Sequence, residues 1–240
     1  MTPTEEHALK LTMDFGGYVT TEHLAKWRPD IAYRNHAYVI QNLVGDRLLL
    51  AREEHRVGKA PIIYQVTRKA CLHFGRPDSY LRRKRTRPIV HRALLKGGFL
   101  FDLIGKGYPE EEILCYSDTR IEFFLSQGIN ERVLPAKYNY GTRVTQIEEH
   151  ILLRSPFNKE REVTILYTDK PGRSAWEQVH TLFESYMLLS QQVSCPPLSM
   201  LIICEQKNEE IAYSRALEHT KMPHNFSIQA TTVNHSYFPQ

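Results

Sequence analysis

The chain has 240 residues, of which 42% are hydrophobic and 24% are charged. These values are typical of globular proteins and argue against disorder, collagen and coiled coils. The formal net charge of +4 combines a basic first part, with 19 Lys and Arg against 10 Asp and Glu in residues 1–107, and an acidic second part, with 12 against 17 in residues 108–240. Such asymmetry indicates that a polyanion contacts the first part.

The length predicts more than one domain, and we expect boundaries at residues 1–76, 77–107 and 108–240. No apolar run reaches the roughly 18–20 residues of a membrane span, and the first residues lack a signal-peptide core, so we expect a soluble, cytoplasmic protein. The four cysteines include no C-x-x-C pair, which indicates reduced structural thiols rather than a zinc or redox site.

Residues 1–76 predict three helices followed by a β-hairpin. The first helix should be capped by Thr4 and end at Gly16-Gly17, and the second should be capped by Thr20 or Thr21. The third helix, within residues 31–44, has an apolar stripe that should face the core. That stripe consists of Ala32, Val39, Ile40, Leu43 and Val44.

Four side chains of the third helix should point away from the core: Arg34, Asn35, Tyr38 and Gln41. Arg, Asn and Gln are the side chains that make bidentate contacts to base edges in the major groove. Two β-runs follow at 47–53 and 62–67, and the tip between them carries Arg56 and Lys59.

This order of elements is typical of a winged helix-turn-helix, in which the third helix enters the major groove and the hairpin contacts the DNA backbone. Winged helices also serve as protein-docking modules. The basic excess of this part favours DNA as the partner.

Residues 77–107 contain a dense basic run followed by a predicted helix. The run consists of Arg82, Arg83, Lys84, Arg85 and Arg87. It predicts either phosphate contacts by a flexible arm or a solvated linker. The helix, over 87–106, has a weak point at Gly97-Gly98 and is expected to bridge the two parts of the chain.

Residues 108–240 predict the order α-β-β-β-α-β-α-β. The first helix should be capped by Ser117 and end at Gly128, and strands are expected at 132–140, 149–154 and 162–168. A long helix should begin at Ser174, with Trp176, Val179, Leu182, Phe183 and Tyr186 on its apolar stripe. The continuous apolar run at 198–204 predicts a strand buried on both faces, followed by a helix capped by Asn208 and a last strand near 226–233. The fold class is therefore α/β (α+β), with a mixed sheet flanked by helices.

That order resembles the PD-(D/E)XK nuclease fold, and a winged helix joined to such a domain resembles the replication-relaxation family, which is related to plasmid mobilisation relaxases of the MobC type. The Pro-Asp signature of the family corresponds to residues 134–136, where Ala136 replaces the Asp. The second signature corresponds to residues 167–174, where Tyr167 replaces a Glu while Asp169, Gly172 and Ser174 match.

The resemblance implies a DNA-nicking relaxase or relaxosome component that acts at a plasmid transfer origin. Such an endonuclease needs carboxylates around Mg²⁺ or Mn²⁺ and a Lys near the phosphate. Asp169 and Glu149 are the predicted metal ligands. Further candidate catalytic residues are Glu148, Glu122, Lys170 and, as an alternative nucleophile, Tyr167.

The expected partners are double-stranded DNA, coupling or relaxosome proteins and a second copy of the chain. Two other functions remain open. One is a non-catalytic regulator of transcription or replication that uses the same DNA-binding part. The other is an interaction adaptor whose degenerate nuclease domain binds a protein.

Overall fold

The computed structural model describes residues 1–52, 61–76, 86–139, 142–145, 151–154, 162–168, 172–222 and 226–233. The chain divides into two compact units, Met1–Tyr108 and Pro109–Asn234. Each unit combines helices with a β-sheet, so the fold is mixed α and β. Across the described ranges, no helix is both long and apolar enough to span a membrane.

The first unit contains five helices and three short strands within its described residues. They are α1 (Pro3–Asp14), β1 (Tyr18–Val19), α2 (Thr21–Trp27), α3 (Tyr33–Gly45), β2 (Leu49–Ala51), β3 (Tyr64–Val66), α4 (Arg68–His73) and α5 (Arg87–Gly105). The strands form one antiparallel sheet in the order β1-β3-β2. The three predicted helices and the two hairpin strands are confirmed. Strand β1 was missed because two residues carry no periodic signal.

Helix α1 begins with a capping box. The Thr2 hydroxyl accepts a hydrogen bond from the Glu5 backbone amide at 3.3 Å, and the Glu5 carboxylate accepts one from the Thr2 amide at 2.7 Å. The prediction that Thr4 caps this helix is therefore wrong, because Pro3 occupies the first helical position and Thr2 has the acidic partner three residues later. The predicted end is confirmed, since Gly16 and Gly17 have φ of 118° and 82°.

Helix α3 packs its inner face into the core of the first unit. The buried residues are His36, Ile40 and Leu43, at i, i+4 and i+7. Val39 and Val44 are half-buried. The prediction that Ala32 is buried is wrong, because this residue precedes the helix as its N-cap and is exposed.

Helix α5 packs closely against α2 and against Phe15, the residue that caps the end of α1. The Phe101 ring contacts the Phe15 ring edge-on and stacks on the His23 ring at 5.7 Å. A Cβ added at Gly105 would lie only 1.9 Å from the Lys26 carbonyl oxygen, so glycine is required for this approach. The helix is continuous through the buried Gly97-Gly98 pair, so the predicted weak point is wrong. Helix α5 thus belongs to the first unit.

The second unit is built around a five-stranded mixed sheet. Its elements are β4 (Ile113–Leu114), α6 (Ser117–Ser126), β5 (Ala136–Asn139), β6 (Thr142–Thr145), β7 (Ile151–Arg154), β8 (Val163–Thr168), α7 (Ala175–Ser190), β9 (Leu198–Cys204), α8 (Lys207–Glu218) and β10 (Phe226–Thr232). The sheet order is β10-β9-β8-β7-β4, in which β7 is antiparallel to both neighbours and β8, β9 and β10 are parallel. Strands β5 and β6 form a separate hairpin.

Strand β9 is the centre of this sheet. All seven residues of Leu198–Cys204 are buried, and the strand pairs with β8 on one side and β10 on the other. Helices α7 and α8 make the crossovers that parallel neighbours require. The continuous apolar run therefore gave a correct prediction of a doubly buried strand.

Several predicted boundaries in the second unit are wrong. The strand expected at 132–140 begins only at Ala136, because Glu131–Val133 forms a 3₁₀ turn in which the Asn130 side chain accepts from the Arg132 amide. Ser117 is the first residue of α6 rather than its cap. The N-cap of α8 is Gln206 rather than the expected Asn208, and its backbone amide donates to the Glu209 carboxylate at 3.0 Å.

The stripe predicted for α7 is confirmed only in part. Val179, Leu182 and Tyr186 are buried and Phe183 is half-buried, whereas Trp176 is 57% exposed. The helix, predicted to begin at Ser174, begins at Ala175, and Ser174 is its N-cap in a box with Glu177. Trp176 lies in the first turn, and its ring contacts that of His180 instead of the core.

Glu5 connects the start of α1 to α3. It is 6% exposed, and its Oε1 accepts a hydrogen bond from the Asn42 Nδ2 at 2.7 Å. This bond, followed by the Thr2 backbone amide, lowers the pKa of Glu5 below its ordinary value of 4.5. The ionised carboxylate therefore stabilises the folded chain.

We predict that Glu5→Gln lowers the free energy of unfolding at neutral pH by about 1–3 kcal/mol, because hydrogen bonds to a charged group are lost. The folded pKa is depressed, so this contribution is present above pH 4.5 and is lost as the pH falls through the folded value. Urea unfolding of both chains at several pH values checks this. Glu6→Gln, at an exposed neighbour on the same turn, is the control and should change stability much less. A stability difference that does not shrink in acid would contradict the prediction.

Candidate nucleic-acid interface

The side of α3 that points away from the core carries exposed polar residues that could contact a ligand. Arg34, Tyr38 and Gln41 follow the same i, i+4, i+7 spacing as the buried face but start two residues earlier, which is about 200° around the helix. All three are exposed, and so is Asn35 beside them. The exposure predicted for these four residues is observed, and their contact with bases stays a prediction. We call these four residues the outer face.

A further exposed aromatic residue was missed in the sequence. Tyr33, the first residue of α3, is 56% exposed, and Tyr38 is 60% exposed. Helix α3 carries no acidic residue along its length. The helix thus presents hydrogen-bonding and aromatic groups without a negative charge of its own.

Two polar contacts hold α3 from its two ends. Near the beginning, the buried His36 ring places its Nε2 3.1 Å from the carbonyl oxygen of Arg28, the residue that ends α2. Near the end, Asn42 donates to Glu5 on α1. The outer face is therefore supported by polar contacts to α1 and α2 as well as by core packing, which is the kind of support a precise binding surface needs.

A basic group lies at the end of α3. The segment that follows α3 and the start of α4 are joined by a hydrogen bond, in which the Thr67 hydroxyl donates to the Arg47 carbonyl at 2.8 Å. The Lys69 ammonium donates to the Asp46 carbonyl at 2.8 Å, and the side chains of Arg47 and Arg68 are exposed. We call Arg47, Arg68 and Lys69 the basic group. The sequence did not reveal it because the segments that bring these residues together are 20 residues apart.

Other predicted DNA contacts belong to parts of the chain outside the described residues. These are Arg56 and Lys59 at the hairpin tip and the run Arg82, Arg83, Lys84 and Arg85. Arg87 is described, and it is the exposed first residue of α5. The Arg52 guanidinium, at the start of the hairpin tip, donates to Gln65 on β3 at 2.7 Å.

Most residues predicted for metal binding and catalysis also fall outside the described residues: Asp169, Lys170, Glu148 and Glu149. Glu122 is described and exposed on α6. In the described part of the chain, no three His, Cys, Asp or Glu side chains are grouped so as to hold a metal ion. The described backbone does show that β7 begins and β8 ends at one sheet edge, since Ile151 pairs with Leu166.

Tyr167, the alternative nucleophile, lies in the core of the second unit. It is 6% exposed, and its hydroxyl donates to the Gln178 side chain at 3.1 Å. Of the three residues that match the second family signature, the two that the structure describes have local structural roles. Gly172 adopts a φ of 84°, and Ser174 caps α7. Ala136, at the first signature, begins β5 rather than following a strand.

The described residues thus bring together two exposed surfaces on the first unit, which are the outer face of α3 and the basic group at its end. They bring together no catalytic group in either unit. No protein-family model, curated protein or solved structure matches this chain.

Proposed function

We propose that the chain binds double-stranded DNA through its first unit, which we interpret as a winged helix with α3 as the helix that enters the major groove. The observation that carries this proposal is the outer face of α3, where Arg34, Asn35 and Gln41 are exposed on a helix anchored at both ends. The order α1-β1-α2-α3-β2-β3, with the sheet order β1-β3-β2, supports the winged-helix interpretation.

The chemistry of the outer face matches the edges of base pairs. A guanidinium donates to the O6 and N7 of guanine, and a carboxamide both donates to and accepts from adenine. An α-helix fits the major groove, whose width is about 12 Å. The basic group at the end of α3 adds charges of the kind that contact phosphates and orient a protein on the duplex.

The cellular role that we propose is DNA recognition for a mobile element, as a component of the complex that mobilises a plasmid. This part of the proposal depends on the resemblance to the replication-relaxation family. The mixed sheet of the second unit supports it, because an antiparallel β7-β8 pair is followed by parallel strands joined through α7 and α8. The second unit would then contact partner proteins or DNA.

A second candidate function is metal-dependent nicking of one DNA strand. The observation in its favour is the shared sheet edge at which β7 begins and β8 ends. Glu148 and Glu149 precede β7 in the sequence, and Asp169 follows β8. Carboxylates supplied from such an edge would suit Mg²⁺ or Mn²⁺.

We predict that Arg34→Ala weakens binding to the preferred duplex by about 1–3 kcal/mol and leaves binding to random DNA nearly unchanged, because a base contact is lost. Fluorescence anisotropy with a selected duplex and a scrambled one measures both affinities. Arg215→Ala is the matched control, because it removes one exposed charge from α8 in the second unit. Equal losses on both duplexes would contradict base reading. Absence of duplex binding by the natural chain would favour the protein-docking function instead.

Replacing the basic group, as Arg47→Ala, Arg68→Ala and Lys69→Ala together, should reduce the slope of log affinity against log salt by about 2–3. The reason is that fewer counterions are released when fewer phosphates are neutralised. The measurement is a salt titration of duplex affinity. Its control removes three exposed charges of the second unit, Arg132, Arg173 and Lys221. An unchanged slope in the first variant would exclude phosphate contacts by this group.

For the nicking candidate, the natural chain should convert supercoiled plasmid that carries the selected site to the open circle in Mg²⁺ or Mn²⁺. Asp169→Ala should abolish nicking and leave duplex binding intact, because α3 lies in the other unit. Gel electrophoresis of the plasmid follows the conversion. Failure of the natural chain to nick, with relaxosome partners supplied, would remove this candidate and leave the binding proposal standing.

A further inference from the structure

We infer that α3 reads a short duplex site in which a thymine, contacted by the ring of Tyr38, lies between a guanine contacted by Arg34 and an adenine contacted by Gln41. This inference rests on the proposed function and adds the base composition of the site. It starts from the geometry of α3, in which these three exposed residues form a single stripe along the helix.

The spacing of the stripe sets the length of the site. Successive residues of an α-helix rise about 1.5 Å, so Arg34 and Gln41 are separated by roughly 10 Å along the axis. Neighbouring bases on one strand are about 3.4 Å apart. A helix that follows the groove therefore covers about three base steps between these two side chains, and Tyr38 lies between them.

Tyr38 is the unusual member of the stripe. The Tyr38 ring is 60% exposed in the middle of a polar face, so most of its surface is open to a ligand. The apolar group that the major groove offers to such a ring is the methyl group of thymine. Arg34 and Gln41 on either side then take the bases that suit a guanidinium and a carboxamide, which are guanine and adenine.

Tyr33 supplies a matched control. It is exposed to nearly the same extent, at 56%, but it precedes Tyr38 by five residues and so lies about 140° from it around the helix. A contact that depends on the stripe should be lost on Tyr38→Ala and kept on Tyr33→Ala. A general effect of removing an exposed tyrosine would appear in both variants.

The experiment begins with selection of duplexes from a random library by the full chain. The enriched core should contain a thymine between a guanine and an adenine. Replacing that thymine by uracil, which lacks only the methyl group, should weaken binding by the natural chain and by Tyr33→Ala about fourfold. The same replacement should have no effect on Tyr38→Ala. Tyr38→Phe should keep the sensitivity, because the ring is retained.

A change of specificity at the adenine gives a second measurement. Gln41→Glu should shift the preferred base at that position to cytosine, whose amino group donates to a carboxylate. Selective binding with no response to uracil and no shift on Gln41→Glu would overturn this inference and leave the proposed function intact. Equal loss of the uracil response in Tyr33→Ala and Tyr38→Ala would also overturn it. Absence of any duplex binding by the natural chain would overturn the proposed function and this inference together.

Discussion

The hydrogen bond between Asn42 and the buried carboxylate of Glu5 is the contact on which the arrangement of the first unit depends. A buried carboxylate is costly unless donors surround it, and Glu5 obtains them from two separate elements. The Thr2 amide comes from the start of α1, and the Asn42 amide comes from α3. One side chain therefore both begins a helix and fixes the position of the helix that carries the outer face.

The inner and outer residues of α3 differ in their surroundings: the inner ones are buried and the outer ones are exposed. Its inner residues pack, and His36 in addition holds the turn after α2 through the Arg28 carbonyl. Its outer residues are exposed and do not cap the helix, since the N-cap of α3 is Ala32, which makes no side-chain cap. Packing does not restrict which residues occupy exposed positions. Arginine, asparagine, tyrosine and glutamine can therefore share this face of the helix.

In the second unit the central strand β9 is buried on both faces of the sheet, so polar groups there have no access to water. Polar side chains within it are therefore paired, as Thr164 with Ser199 at 2.6 Å and Tyr167 with Gln178. Arg120, 1% exposed, donates to the Cys115 carbonyl, and burial raises the pKa of the enclosed Tyr186. In these pairs the polar groups of the described core bond to each other. Ligands of open α/β sheets bind outside the sheet, where strands begin and end.

The sequence by itself determined the elements whose information is local. The spacing of Ile40 and Leu43 was enough to assign both faces of α3, and the unbroken apolar run at 198–204 was enough to predict a doubly buried strand, because each pattern repeats with the period of its structure. Only the tertiary structure decided the pairing of β1 with β3, the basic group at the end of α3 and the docking of α5 through Gly105, since each joins residues far apart in the chain. Competing caps such as Thr2 and Thr4 differ only in which backbone amides their side chains reach. The exposure of Trp176, whose ring contacts that of His180, was likewise decided by the tertiary structure. Long-range contacts of this kind leave no period in the sequence, and so it is the fold that places Glu5 against Asn42 and sets the helix that we propose reads DNA.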